Sequence, residues 1–384
     1  MRRMSMTLTT AVALGALAFP AAASAAVRAP VDAAASVSAA CPDVAHYENA
    51  AHDGHNCSTV SPGAGQMWST TLNAPASYPV IAGGRVFVTT SSPGGSYGGD
   101  LYALNARTGA MEWGPIALSG LYFYFPLAFD KGRVFVNNFD GTVTAFNAAT
   151  GAQEWSTPTN NFSGEPVAAK GTVWIDGGAG VYGLSETTGA IAAQSGYLDG
   201  NGADPAVNGS GVYLSAGCSQ FKLSLSAQVV WDDNSGCTGG GGASTALWRG
   251  RMYGSDGHQI MAQSTGALEG SFSGVPAFSG TTGFFASGDA VSALNVAKGN
   301  ASLWTANLPA AVVAGPVATQ SAVWVGTSAS TLVALSPATG EVLSTITLPG
   351  IPGGGGEYSG DPSDIGIGNN VLVVPTGSTV TAFG

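Results

Sequence analysis

The residues able to do chemistry are few, and most of them fall in one stretch. The histidines are His46, His52, His55 and His258, and the cysteines are Cys41, Cys57, Cys218 and Cys237. His52, Asp53, His55 and Cys57 sit within six positions and are ligand types that zinc takes. The reading favoured over a metal site is an exposed lead-in loop tied by a Cys41–Cys57 bridge. His258 follows Asp256-Gly257, a turn signal, which puts it at a loop tip and not beside the Ser and Asp that a nucleophilic triad needs. Asp199, Asn201 and Asp204 in YLDGNGADP space oxygen ligands as part of a calcium loop does, but the terminal bidentate Glu is missing. A polar connection between structural units is favoured there. No catalytic, cofactor-binding or metal-binding set is complete, and none is assigned.

The remaining chemistry is aromatic. The run LYFYFP (Leu121–Pro126) stands beside SSPGGSYGGD (Ser91–Asp100), Phe162, Tyr197 and PGGGGEYSGD (Pro352–Asp361). Tyr and Phe among few charges suit stacking on sugars or apolar ligands, so Tyr97, Tyr122, Tyr124, Tyr197 and Tyr358 are the candidate ligand-binding residues. Covering the mouth of a channel is the equally weighted alternative. The formal charge is −11, the pI about 4.6, and only 9% of residues are charged. Nucleic acid is excluded as a partner, because phosphate binding needs clustered Lys and Arg.

The N-terminus reads MRRMSMTLTTAVALGALAFPAAASAA: a basic start, a short apolar run and an Ala-Ser-Ala cleavage pattern. Residues 1–25 are expected to be a secretory signal peptide, with no membrane anchor, which makes the protein secreted or periplasmic. Disulfides persist in such a compartment. Sequence order favours Cys41–Cys57 and Cys218–Cys237 among the three possible pairings.

The elements that must position these residues are repeats. GRVFVTT (Gly84–Thr90) with ALNARTGAMEW (Ala103–Trp113) aligns with GRVFVNN (Gly132–Asn138) and AFNAATGAQEW (Ala145–Trp155). Looser copies follow to the end of the chain. Pro79, Pro126, Pro166, Pro205, Pro276, Pro316 and Pro362, with Ala246 in the fifth place, mark eight units of about 40 residues. Each unit reads as four short strands A to D, with Thr-Gly turning C into D. The expected fold is all-β: an eight-bladed β-propeller of four-stranded antiparallel blades. The eighth unit lacks strand D, and the orphan strand GQMWSTTL (Gly65–Leu72) is expected to complete it and close the ring. The domains are then 1–25 signal peptide, 26–64 lead-in segment and 65–384 propeller.

The motif A-x-[ND]-x-x-T-G-x-x-x-W resembles the tryptophan-docking motif of propellers of the pyrroloquinoline-quinone (PQQ) type. Ala103, Asn105, Thr108, Gly109 and Trp113 match it, as do Ala145, Asn147, Thr150, Gly151 and Trp155. The resemblance covers roughly residues 46–384, and the segment YENAAHDGHNCSTVSPG resembles the lead-in of secreted relatives. It implies that Trp113 and Trp155 pack, buried, on Thr-Gly turns of neighbouring blades. It also implies what a quinoprotein dehydrogenase would add: an adjacent Cys-Cys pair, acidic calcium ligands and a catalytic Asp. This chain has no vicinal cysteines and no C-x-x-C-H haem motif. The expected function is therefore a secreted, non-catalytic propeller that binds a protein or carbohydrate through its loop face, without a cofactor. A quinone-dependent oxidoreductase using PQQ and calcium, and a structural envelope scaffold, are the alternatives.

Overall fold

In the inner strands a short run of apolar residues follows a proline or small residue, as Val80–Ala82 does Pro79. A computed structural model describes residues 41–384 other than 92–97, 121–125, 139, 160–163, 178–179, 199–202, 218, 235–241 and 354–364. The inner strands of blades 1 to 8 are Val80–Ala82, Leu127–Asp130, Val167–Ala169, Ala206–Asn208, Thr245–Trp248, Val275–Ser279, Val312–Ala318 and Gly366–Gly368. Each opens an antiparallel meander of four strands. Blade 2 is typical, continuing through Arg133–Asn138, Thr142–Asn147 and Gln153–Pro158. Blade 4 adds a short fifth strand, Gly242–Ala243, against its second.

Closure occurs in blade 8. Gln66–Thr71 pairs antiparallel with Thr379–Phe383, with Trp68 opposite Ala382 and Thr71 opposite Thr379. The ring therefore has no open sheet edge at its junction.

Burial follows distance from the axis. Arg133–Asn138 is buried at five successive positions, because both its faces meet a neighbouring blade. The outer strand Gln153–Pro158 buries only Trp155 and exposes most other positions. The apolar core is accordingly divided between blades. One cluster joins Phe87 and Leu101 of blade 1 to Val134 and Val136 of blade 2, and another joins Phe135 and Trp155 of blade 2 to Val173 and Ile175 of blade 3.

Five outer-strand tryptophans bridge to the next blade. Trp68, Trp113, Trp155, Trp231 and Trp304 donate their indole N–H to the carbonyls of Ala106, Ala148, Glu186, Gln263 and Pro337, at 2.9–3.1 Å. Each ring lies over the glycine of a Thr-Gly turn. At Gly189, with φ +70°, a Cβ would sit 2.6 Å from the Trp155 ring, so only glycine fits. Trp155 is buried; Trp113 is only partly buried, where the Gly114-Pro115 bulge interrupts its strand's register.

Candidate functional site

The inner strands of a propeller turn their free N–H groups toward the central channel, where they need partners. Residues 41–57 supply them. The carbonyls of Cys41, Asp43, Val44, Ala50, Ala51, Asp53 and Gly54 accept from the N–H groups of Asn369, Ile81, Phe129, Val207, Leu247, Phe278 and Ala318, at 2.6–2.9 Å. The segment thus visits blades 8, 1, 2, 4, 5, 6 and 7 in turn, circling inside the channel. Tyr47, Glu48 and His52 adopt left-handed backbone, with φ of +58°, +79° and +51°, which curls the chain this tightly. The Cys41–Cys57 disulfide ties the two ends of the circle.

This arrangement corrects the expectation of an exposed loop. Asp43, His46, Glu48, His52 and Asn56 are all at most 3% exposed. Hydrogen bonding to the strands around the channel outweighs the cost of burying polar side chains, and Glu48 and Asn56 find partners of their own. Asn56 donates to Glu48 Oε2 at 2.8 Å and to the Ile367 carbonyl, and the Ile367 N–H donates to Glu48 Oε1 at 3.0 Å. Asp53 Oδ1 accepts from Asn49 at 2.7 Å and from the His55 N–H at 2.9 Å. The proposed grouping of His52, Asp53, His55 and Cys57 is not available to a metal, because Cys57 is in the disulfide.

Burial of acids without nearby lysine or arginine controls the electrostatics. Burial pushes the Glu48 carboxyl up to about 8, opposed by the Asn56 and Ile367 donors. Burial also raises Asp43 and Asp53, with the Glu48 charge adding to the rise at Asp43. Burial, with the positive potential of His46, lowers His52 to about 3. A carboxyl whose folded value lies above its ordinary 4.5 binds its proton more tightly when folded. The stability it contributes is present in acid and lost as pH rises from about 4.5 through about 8. The unfolding free energy is therefore expected to fall across this window, and the fall should be shallower in Glu48→Gln. Urea titrations at a series of pH values check this; an identical slope in the variant would contradict it.

Three segments converge at the mouth of the channel where the inner strands begin. His46 comes from the lead-in segment, Glu165 precedes the inner strand of blade 3, and Asp204 precedes that of blade 4. His46 Nδ1 pairs with Glu165 Oε2, and Asp204 Oδ1 accepts from the Glu165 N–H at 3.2 Å. The His46 ring stacks on Tyr47 at 4.0 Å and on Tyr78 at 4.6 Å. Tyr78 in turn donates to the Leu127 carbonyl at 2.7 Å, and Tyr47 shares a hydrogen bond with Ser244 at 2.9 Å. The cavity beside Tyr47 and His52 has a volume of about 10 Å³, room for one water. A planar tricyclic quinone does not fit among these described residues, which fill the axis with their own rings.

Of the sequence candidates, Asp204 joins this cluster; Asp199 and Asn201 lie outside the described residues. So do Tyr97, Tyr122, Tyr124, Tyr358 and Phe162, and both Cys218 and Cys237. Tyr197 is 66% exposed on the connection between blades 3 and 4. His258 is exposed in the turn Asp256–His258, 5.5 Å from the Phe272 ring. Sequence reasoning missed His46 and Glu165, whose partners are remote in the chain. It also missed a groove of about 320 Å³ between blades 1 and 2, lined by Arg85, Phe87, Phe129, Lys131, Arg133 and Glu154. Its two arginines hold Glu112 and Glu154 at 2.6 Å. The shared Gly-Arg-Val-Phe of the two blades was the available signal.

Comparison with known proteins agrees with this architecture. No curated protein matches the chain. Among solved structures, BamB from Moraxella catarrhalis superposes with a TM-score of 0.61 at 16% identity, over 83% of this chain and 97% of that one. A quinohemoprotein alcohol dehydrogenase from Comamonas testosteroni gives 0.68 at 15% identity, over 91% and 81%. A europium-containing methanol dehydrogenase gives 0.66 at 14%, over 87% and 89%. Such distant likenesses show the fold alone. Among the described residues no helix is long and apolar enough to cross a membrane, and the disulfide suits an oxidising compartment. The profile of one family, described as outer membrane protein assembly factor BamB, matches residues 118–344 and 224–383. By that match and its eight four-stranded blades, the chain belongs to this family of PQQ-type β-propellers.

Proposed function

We propose that this protein is an exported, non-catalytic β-propeller that binds a protein or carbohydrate partner through an exposed face. The observation that carries the reading is the filled channel: residues 43–56 occupy the axis with their own backbone and rings. Among the described residues, the exposed Tyr197 ring on the connection between blades 3 and 4 is an apolar anchor of the kind interfaces use. The family description supports a protein partner of the cell envelope over a small substrate. Export rests on the N-terminal signal pattern and fits the Cys41–Cys57 bridge.

The test pairs two measurements on the mature protein. Surface binding to glycan arrays and to isolated envelope proteins should give a saturable partner, bound at least roughly tenfold more weakly by Tyr197→Ala. Incubation with PQQ and calcium should give no dye reduction with alcohols. Turnover in the second assay overturns the reading, as does the absence of any saturable partner in the first.

A further inference from the structure

We propose that His46, Glu165 and Asp204 form a binding site for one divalent cation of the zinc class, which pins the lead-in segment to blades 3 and 4. Each residue offers a ligand atom, and the three atoms lie within 4.8 Å of one another. They come from three segments far apart in the chain, so local sequence does not account for their meeting. His46 and Glu165 are buried and Asp204 is half-buried, which leaves the fourth position of a tetrahedral ion to water from the channel mouth.

The surroundings hold the ligands in place. Tyr47 and Tyr78 clamp the imidazole face to face, fixing the direction of Nδ1. Asp204 is oriented by the Glu165 N–H on Oδ1, a supporting contact of the kind that sets ligand geometry. Without metal, the close pairing of Nδ1 with Glu165 Oε2 requires a proton between them. The cation takes that proton's place, and the proton leaves to solvent.

Ligand type sets the selectivity. One imidazole nitrogen with two carboxylates suits Zn²⁺, and Mn²⁺ less well. Ca²⁺ and Mg²⁺ prefer all-oxygen shells, so the site differs from the acidic calcium set of a quinone enzyme. The assignment does not depend on how the exposed face is used.

The test uses the full mature protein, freed of any histidine tag and stripped with EDTA. Calorimetric titration with ZnCl₂ at neutral pH should give one equivalent of micromolar or tighter binding, with Mn²⁺ weaker and Ca²⁺ weaker still. Asp204→Asn keeps an acceptor for the Glu165 N–H and removes the charge. It should fold as the wild type does and bind Zn²⁺ at least roughly tenfold more weakly. Zn²⁺ should raise the thermal midpoint of the wild type and not of this variant. Anomalous diffraction at the zinc edge should place the ion at His46 Nδ1, which keeps the test open if His46→Gln does not fold. A bare ion pair with no stoichiometric Zn²⁺ binding overturns the proposal. So does binding untouched by Asp204→Asn, a peak elsewhere, or a preference for Ca²⁺.

Discussion

Trp155→Ala is expected to destabilise the protein by about 3–5 kcal/mol, the range for truncating a large buried aromatic. The indole is 9% exposed and joins Phe135 and Val143 of its own blade to Ile175 and Leu184 of the next. Its N–H also donates to the Glu186 carbonyl at 2.9 Å, and Thr157 donates to the Gly189 carbonyl at 2.8 Å alongside it. The glycine beneath makes the test specific. Gly189→Ala puts a Cβ 2.6 Å from the indole and asks alanine to hold φ +70°. The backbone part of that penalty is about 1–2 kcal/mol. Gly299→Ala has a similar φ of +63° but nothing within 4 Å of its Cβ, so it should cost the backbone part alone. In a Trp155→Ala background the Gly189→Ala penalty should fall to the Gly299 level, a coupling that a double-mutant cycle by urea unfolding measures. Equal costs at Gly189 and Gly299 in the wild type would refute docking as the reason for glycine.

The second large effect is expected from opening the Cys41–Cys57 bridge. The bond closes a loop with a sequence separation of 16, for which the chain-entropy treatment gives about 3 kcal/mol. Cys41→Ser with Cys57→Ser should lose most of that. The loss should appear first in the channel, because six inner-strand N–H groups, and that of Asn369 just beyond the inner strand of blade 8, depend on the carbonyls of this circle. Hydrogen exchange at Ile81, Phe129, Val207, Leu247, Phe278, Ala318 and Asn369 should quicken before exchange in the second and third strands of the blades. Unchanged exchange at these positions, with stability within about 0.5 kcal/mol of wild type, would mean that the circle holds itself without the bridge.

Much of the fold was legible because it repeats. The eight units, their four strands, and completion of blade 8 by the strand bearing Trp68 are all contained in periodicity and in turn residues. Even the irregular units make sense once neighbours are known. Blades 3, 5 and 7 have outer strands Ile191–Gln194, Leu268–Ser271 and Val342–Thr347, none with a tryptophan. The turn that blade 3 faces replaces Thr-Gly with Ser226-Ala227, and Ala227 holds φ +59°, a position that no outer-strand tryptophan of blade 3 covers. The turn that blade 5 faces has Lys298-Gly299, with open space over the glycine.

The candidate site was far less legible. His46 and Glu48 look like ordinary polar residues of an exposed loop, since neither has a partner within helix or strand spacing. Their burial depends on free N–H groups that exist only once eight inner strands stand in a ring. Repetition along the chain was enough to determine the blades, their number and the closing strand, because each blade is a local meander whose contacts lie within one repeat or the next. Tertiary structure alone decided what fills the axis, and which histidine meets Glu165 and Asp204. Those contacts join the lead-in segment to most of the blades at once, and no periodic pattern carries that information.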